Sequence, residues 1–102
     1  MVARIELAPE VVDDFERILY HLEQNQSQQS QTRIADILET IGLLEHNPLI
    51  GRPTTNGMRE LVIGQGTRGY VALYRYLAEM DVVFVLAIRG QREAGFSQPI
   101  DR

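Results

Sequence analysis

The run Val82-Val83-Phe84-Val85-Leu86-Ala87-Ile88 is apolar throughout and rich in β-branched side chains. It is far shorter than the ~20 residues of a membrane-spanning helix. Continuous apolarity over this length predicts a strand buried on both faces, either central in a sheet or covered from above and below. The rest of the chain must supply that cover. Two more strand patterns precede the run, Met58–Ile63 and Tyr70–Leu77, separated by a Gly64–Gly69 loop. A tight turn over Ala78–Asp81 links the second pattern to the apolar run. Links this short predict an antiparallel meander. Within Tyr70–Leu77, the tyrosines Tyr70, Tyr74 and Tyr76 share one phase with Ala72 and are expected to pack against helices. Val71, Leu73, Arg75 and Leu77 share the other phase.

The first half of the chain provides the helices. Ala3–Leu7 reads as a short strand, with Ile5 and Leu7 alternating against Arg4 and Glu6. Pro9 opens a helix, since proline is tolerated at the first helical position. Val12, Phe15, Ile18, Leu19 and Leu22 mark its buried face. Asp13, Asp14 and Glu16 read as a solvated helix start, where the dipole favours anions. The polar stretch Glu23–Gln31 is expected to be the bend of a helical hairpin. A second helix is expected from about Thr32 to His46, burying Ile34, Ile37, Leu38, Ile41 and Leu44 and stopped by Asn47-Pro48. Leu49–Gly57 reads as a turn-rich connector. The expected fold is α+β, in the order β-α-α-β-β-β, with a helical hairpin packed on a small, mainly antiparallel sheet.

A chain of 102 residues makes a single domain over 1–102. Cysteine is absent, which removes disulfides, thiolate chemistry and the common zinc sites together. The N-terminus has no signal-peptide pattern and no apolar run is long enough for a membrane, so the expected location is the cytoplasm. There is no lysine, and every basic side chain is an arginine. Residues 1–51 hold three arginines against nine acids, a net of −6, and residues 52–102 hold seven arginines against five acids, a net of +2. The overall charge of −4 argues against general polyanion binding and direct sequence-specific nucleic-acid recognition. Arginine concentrated on one sheet is suited to recognising carboxylates or phosphates.

Catalytic patterns are missing. His21 and His46 stand alone near predicted helix ends, with no ligand at metal spacing. Gly64-Gln65-Gly66-Thr67-Arg68-Gly69 joins two strands, without the helix N-terminus that a phosphate loop requires. Glu60 is the only acid in the interior of the predicted meander strands, so paired carboxylates are hard to assemble. No cofactor, metal or catalytic residue is expected. Arg52, Arg68 and Arg102 read as solvated edge charges. Meander pairing is expected to bring Arg59, Arg75, Arg89 and Arg92 near one another, and like charges side by side call for an anionic companion.

Four segments, taken in order, resemble the RelE/ParE superfamily of bacterial type II toxins. They are Asn47-Pro48-Leu49-Ile50-Gly51-Arg52-Pro53, Gly57-Met58-Arg59-Glu60-Leu61, Gly69-Tyr70-Val71-Ala72-Leu73-Tyr74-Arg75 and Val85-Leu86-Ala87-Ile88-Arg89-Gly90-Gln91-Arg92-Glu93. The resemblance implies a small cytoplasmic toxin neutralised by a cognate antitoxin, which commonly wraps an acidic segment over the toxin and binds DNA through a separate domain. An arginine-rich sheet suits such a segment electrostatically.

RelE-like members cut messenger RNA in the ribosome with basic residues on the second strand, an arginine just after the Gly-Tyr of the third, an arginine after the fourth and a late tyrosine. Here the second-strand positions hold Glu60 and Val62, the residue after Gly69-Tyr70 is Val71, and Phe96 stands where the late tyrosine would be. Only Arg92 matches. ParE-like members instead bind and inhibit DNA gyrase, and Arg59–Leu61, Tyr74-Arg75 and the arginines after the last strand resemble that branch. The branch's histidine in the fourth-strand motif is replaced by Gly90 or Gln91. The resemblance therefore implies a ParE-like gyrase inhibitor with Arg59, Arg75, Arg89, Arg92 and Phe96 as partner-binding residues. The alternatives are a RelE-like ribosome-dependent endonuclease and a non-toxic homologue that only binds antitoxin.

Overall fold

The computed structural model describes residues 2–24, 30–64 and 69–91. The chain runs β1 (Arg4–Leu7), α1 (Pro9–Gln24), α2 (Ser30–Gly42), β2 (Arg52–Pro53), β3 (Met58–Ile63), β4 (Tyr70–Leu77) and β5 (Val82–Gly90). One 3₁₀ turn, Leu43–Glu45, extends α2, and another, Thr55–Gly57, precedes β3. Five strands form a single sheet in the order β1-β5-β4-β3-β2. The meander β3-β4-β5 is antiparallel as expected, and β1 lies parallel to β5. The α+β class and the helical hairpin on one face are those expected.

Two expectations about elements need correction. The connector Leu49–Gly57 holds an extra two-residue strand, β2, antiparallel to β3. Two residues, one of them proline, are too short to show any periodicity. β5 lies inside the sheet between β1 and β4 with α1 packed across it, as its continuous apolarity predicts. It also runs on to Gly90, which places Arg89 inside the strand.

The buried helix faces differ slightly from the sequence stripes. Val11, Asp14, Ile18 and Leu22 are the buried positions of α1, while Val12 is exposed. In α2 and its 3₁₀ extension, Ile37, Ile41 and Leu44 are buried and Leu38 is exposed. These helical residues meet Leu61, Ile63, Ala72, Tyr74, Val83, Val85 and Ile88 in the main core. On the opposite sheet face Met58, Leu73 and Ala87 form a second, smaller cluster, with Leu86 packed against it.

A β-bulge in β5 decides how α1 attaches. Leu73 pairs with Ala87 and Tyr74 with Val85, so Leu86 has no partner across the ladder. Before the bulge, the Val85 carbonyl accepts from Ala8 N–H on the β1 side. Three residues later Ile88 presents its own N–H and carbonyl on that same edge. In a regular strand an odd separation would turn them to the other edge; the extra residue at Leu86 restores the direction. β1 has already ended at Leu7, so no strand is there to receive them. Instead, Ile88 N–H donates to Asp14 Oδ2 at 2.9 Å, and Arg17 Nη2 donates to the Ile88 carbonyl at 2.9 Å. Arg17 and Asp14 also pair with each other at 3.2 Å. Two side chains of α1 thus complete the sheet edge. Asp14, read from sequence as solvated, is only 2 % exposed.

Candidate partner-binding surface

The Asn47–Pro53 segment is held by two side chains from the sheet. Tyr74, fully buried, donates from its hydroxyl to the Pro48 carbonyl at 2.8 Å and accepts from Gly51 N–H at 2.9 Å. Arg59 lies opposite Tyr74 on β3, hence on the same sheet face. Its Nη1 donates to the carbonyls of Gly51 at 2.7 Å and Leu49 at 3.1 Å. Burial pushes the Tyr74 phenol above its ordinary pKa, while the Gly51 hydrogen bond and the Arg59 charge pull it back only in part. Gly51 is required by this geometry, because a Cβ there would sit 2.6 Å from the Tyr74 ring. The motif residues Gly51, Arg59 and Tyr74 therefore form one loop clamp.

The other sheet face carries the remaining arginines. Arg75 lies between Met58 on β3 and Phe84 on β5, and Arg89 lies beside Val71 on β4. The two share a face but stand four residues apart along β4 register, about 13 Å at the rise of a strand. The Leu73–Ala87 rung separates them. Arg89 Nη1 donates to the Gly90 carbonyl at 3.2 Å. Glu60 shares this face and pairs with Arg52 of β2 at 2.9 Å, so Arg52 is an ion-paired edge charge. The structure thus brings Arg75 and Arg89 onto one face and turns Arg59 to the other. Arg92 and Phe96 lie outside the described residues.

The hairpin ends are set by local hydrogen bonds. Asn56 (φ 59°) and Gly57 (φ 73°) make the tight turn before β3, closed by Met58 N–H donating to the Thr55 carbonyl. This turn passes beside the Arg75 guanidinium. Between β4 and β5, Tyr76 donates to Asp81 Oδ1 at 2.8 Å, and that hydrogen bond raises the Tyr76 pKa above its ordinary value.

His21 and His46 are both exposed, and among the described residues no group of three or more histidines and acids could hold a metal. No helix among them is long and apolar enough to cross a membrane. Sequence reasoning missed the Asp14–Arg17 pair and treated Tyr74 as ordinary packing. A (i, i+3) acid–arginine pair lying within the buried phase of a helix was the available signal for the first. For the second, nothing in the sequence links Gly51 to a tyrosine 23 residues away.

Comparison with known proteins agrees with this architecture. A family model described as ParE toxin of type II toxin-antitoxin system, parDE, matches residues 5–95. A search of the curated proteins finds no significant match. Among solved structures, the chain is similar to one from the chromosomal ParDE system of P. aeruginosa, with TM-score 0.71, 20% identity and coverage of 86% of this chain and 95% of that one. It is also similar to free E. coli toxin RelE carrying two arginine-to-alanine substitutions, with TM-score 0.66, 15% identity and coverage of 92% and 87%. An archaeal RelE–RelB complex from Pyrococcus horikoshii OT3 gives TM-score 0.60 at 17% identity, covering 92% of this chain and 100% of that one. At these identities the structures share a fold with it, and the family model, spanning most of its length, assigns the family. The chain belongs to the ParE toxin family of type II toxin–antitoxin systems.

Proposed function

We propose that this chain is a toxin held inactive by a cognate antitoxin and that, when released in the cytoplasm, it binds and inhibits DNA gyrase. The observation that carries the choice of target is the sheet face opposite the helices. Where a RelE-like nuclease would direct cations at phosphate, this face presents Glu60, already paired with Arg52, together with exposed Val62 and buried Val71. An acid in that position repels a phosphodiester, and two valines supply no charge for its transition state. A protein-binding surface needs neither. The antitoxin is expected to bring an acidic segment, with a separate DNA-binding domain, to the side bearing Arg75 and Arg89. Arg92 and Phe96 are assigned to the same contact. Arg59 contributes through the loop it holds.

The deciding experiment runs purified toxin in a gyrase supercoiling and cleavage assay beside a ribosome-dependent mRNA cleavage assay. Loss of supercoiling with intact mRNA is the expected result. Intact supercoiling together with cleaved mRNA would replace this proposal with the endonuclease reading. Normal growth of bacteria producing the soluble chain alone would favour a non-toxic antitoxin-binding homologue.

A further inference from the structure

The Asn47–Pro53 loop has a second property that the clamp does not explain. Its backbone is fixed at Pro48, Leu49 and Gly51 by Tyr74 and Arg59, yet Leu49 is 58% exposed and Ile50 is 50% exposed. Leu43, 52% exposed, adjoins them, because its carbonyl accepts from Asn47 N–H and the Asn47 carbonyl accepts from Ile50 N–H. Three large aliphatic side chains thus stand in water on a rigid ledge. Nothing in the clamp requires them to be apolar, since it uses only the backbone of the loop.

The ledge continues into a cleft. Arg33, Asp36, Thr40 and Leu43 recur at spacings of three, four and three, so they lie along one side of α2 and its extension. The first three line a cleft of about 280 Å³ between α2 and the sheet, with Glu39 beside them and Ile63 and Tyr70 opposite. Ile63 and the Tyr70 ring give the cleft an apolar wall. Asp36 and Glu39 at the cleft outnumber Arg33, while exposed Glu45 on the ledge is offset by the Arg59 guanidinium bound to the loop carbonyls. The strip therefore couples a rigid aliphatic end to an acidic end.

We propose that this strip is a docking site for a basic, aliphatic segment of another protein. Its aliphatic side chains would cover Leu43, Leu49 and Ile50. A lysine or arginine would enter the cleft, with its stem against Ile63 and Tyr70 and its charge beside Asp36 and Glu39. The inference does not rest on gyrase as target. The required chemistry is opposite to that of the acidic segment assigned to the arginine face, and the cleft lies on the helix side of the sheet, away from Arg75 and Arg89, sharing only the loop that Arg59 holds. A basic partner can therefore occupy the cleft while an acidic one holds Arg75 and Arg89.

The test uses the full chain and two labelled peptides, each carrying a leucine pair, one flanked by lysines and the other by glutamates at the same positions. Fluorescence anisotropy should show the lysine peptide binding and the glutamate peptide not. Binding should weaken roughly threefold to tenfold in the double variant Asp36→Asn/Glu39→Gln, the range expected for exposed charge contacts. Leu49→Ser/Ile50→Ser should weaken it at least as much with an unchanged far-UV spectrum and melting temperature. Equal binding of both peptides, binding of neither, or variants that bind like the parent would overturn the proposal. So would self-association of the chain that is abolished by Leu49→Ser/Ile50→Ser, because the ledge would then belong to a second copy.

Discussion

Tyr74 and Gly51 are built around each other: the phenol oxygen accepts the glycine N–H at 2.9 Å, and the same ring fills the space a Cβ would need. Gly51→Ala should destabilise the chain by about 2 kcal/mol, in the range for overfilling a packed site, because Tyr74 is fully buried and cannot swing away. Tyr74→Phe keeps the ring but leaves the Pro48 carbonyl and Gly51 N–H without their hydroxyl, at about 1–3 kcal/mol. Urea denaturation of the two variants measures both. Combining them should give at most partial rescue, since phenylalanine removes the hydroxyl oxygen 2.6 Å from the added methyl but leaves ring carbon Cε1 equally close.

Asp14 and Arg17 should behave as a unit. Asp14→Ala strands the Ile88 N–H and takes the buried carboxylate from beside Arg17, and is expected to lower stability by about 3 kcal/mol. Asp14→Asn keeps an oxygen for Ile88 N–H and should lose less. Hydrogen exchange at Ile88 offers a residue-level check: its amide should be protected in the parent and lose protection in Asp14→Ala.

Alkaline pH should destabilise the fold through its tyrosines. Tyr74 and Tyr76 both have pKa values raised above 10.0 in the folded state. The folded chain therefore holds these protons more tightly than the unfolded chain does. Their contribution is fully present below pH 10.0 and is lost as pH rises through the higher folded values. Melting temperature should fall in that window. Ultraviolet titration of phenolate formation should show Tyr74→Phe missing a component that ionises late.

The arginines should divide by role. Arg59→Ala removes the donor to the Leu49 and Gly51 carbonyls, so it should lower stability by about 1–3 kcal/mol. Arg75→Ala and Arg89→Ala should weaken antitoxin binding roughly threefold to tenfold each, beyond any loss of stability. That loss should shrink as salt rises, because charge contacts at a protein surface are screened. Calorimetry at two salt concentrations, beside thermal melts, separates the two groups.

Much of this fold is legible in the chain, because strand and turn signals are local. Met58–Ile63, Tyr70–Leu77 and the Ala78–Asp81 turn appear where alternation and turn residues put them. The helix stripe shifted by one position, from Val12 to Val11, because an acid occupies a buried position and hides the apolar phase. Asp14 is tolerated there only because the bulge at Leu86 turns the backbone of Ile88, 74 residues away, toward it. No local pattern reports such an arrangement. The same holds for Arg59: its strand position is legible, but its face depends on pairing with Tyr74, which separates it from Arg75 and Arg89.

The attachment of α1 to β5 also bears on synthesis. Leu7 pairs with Val85, and Asp14 binds the backbone of Ile88, 74 residues further on. As the chain leaves the ribosome, the first strand and the buried acid have no native partners until almost the last residues of the sheet appear. Contacts spanning such distances form late because the intervening loop must first be closed. A nascent chain stopped before β5 would hold an unpaired strand and an uncompensated carboxylate. The native surface, arginine face included, thus becomes available only once β5 has been made.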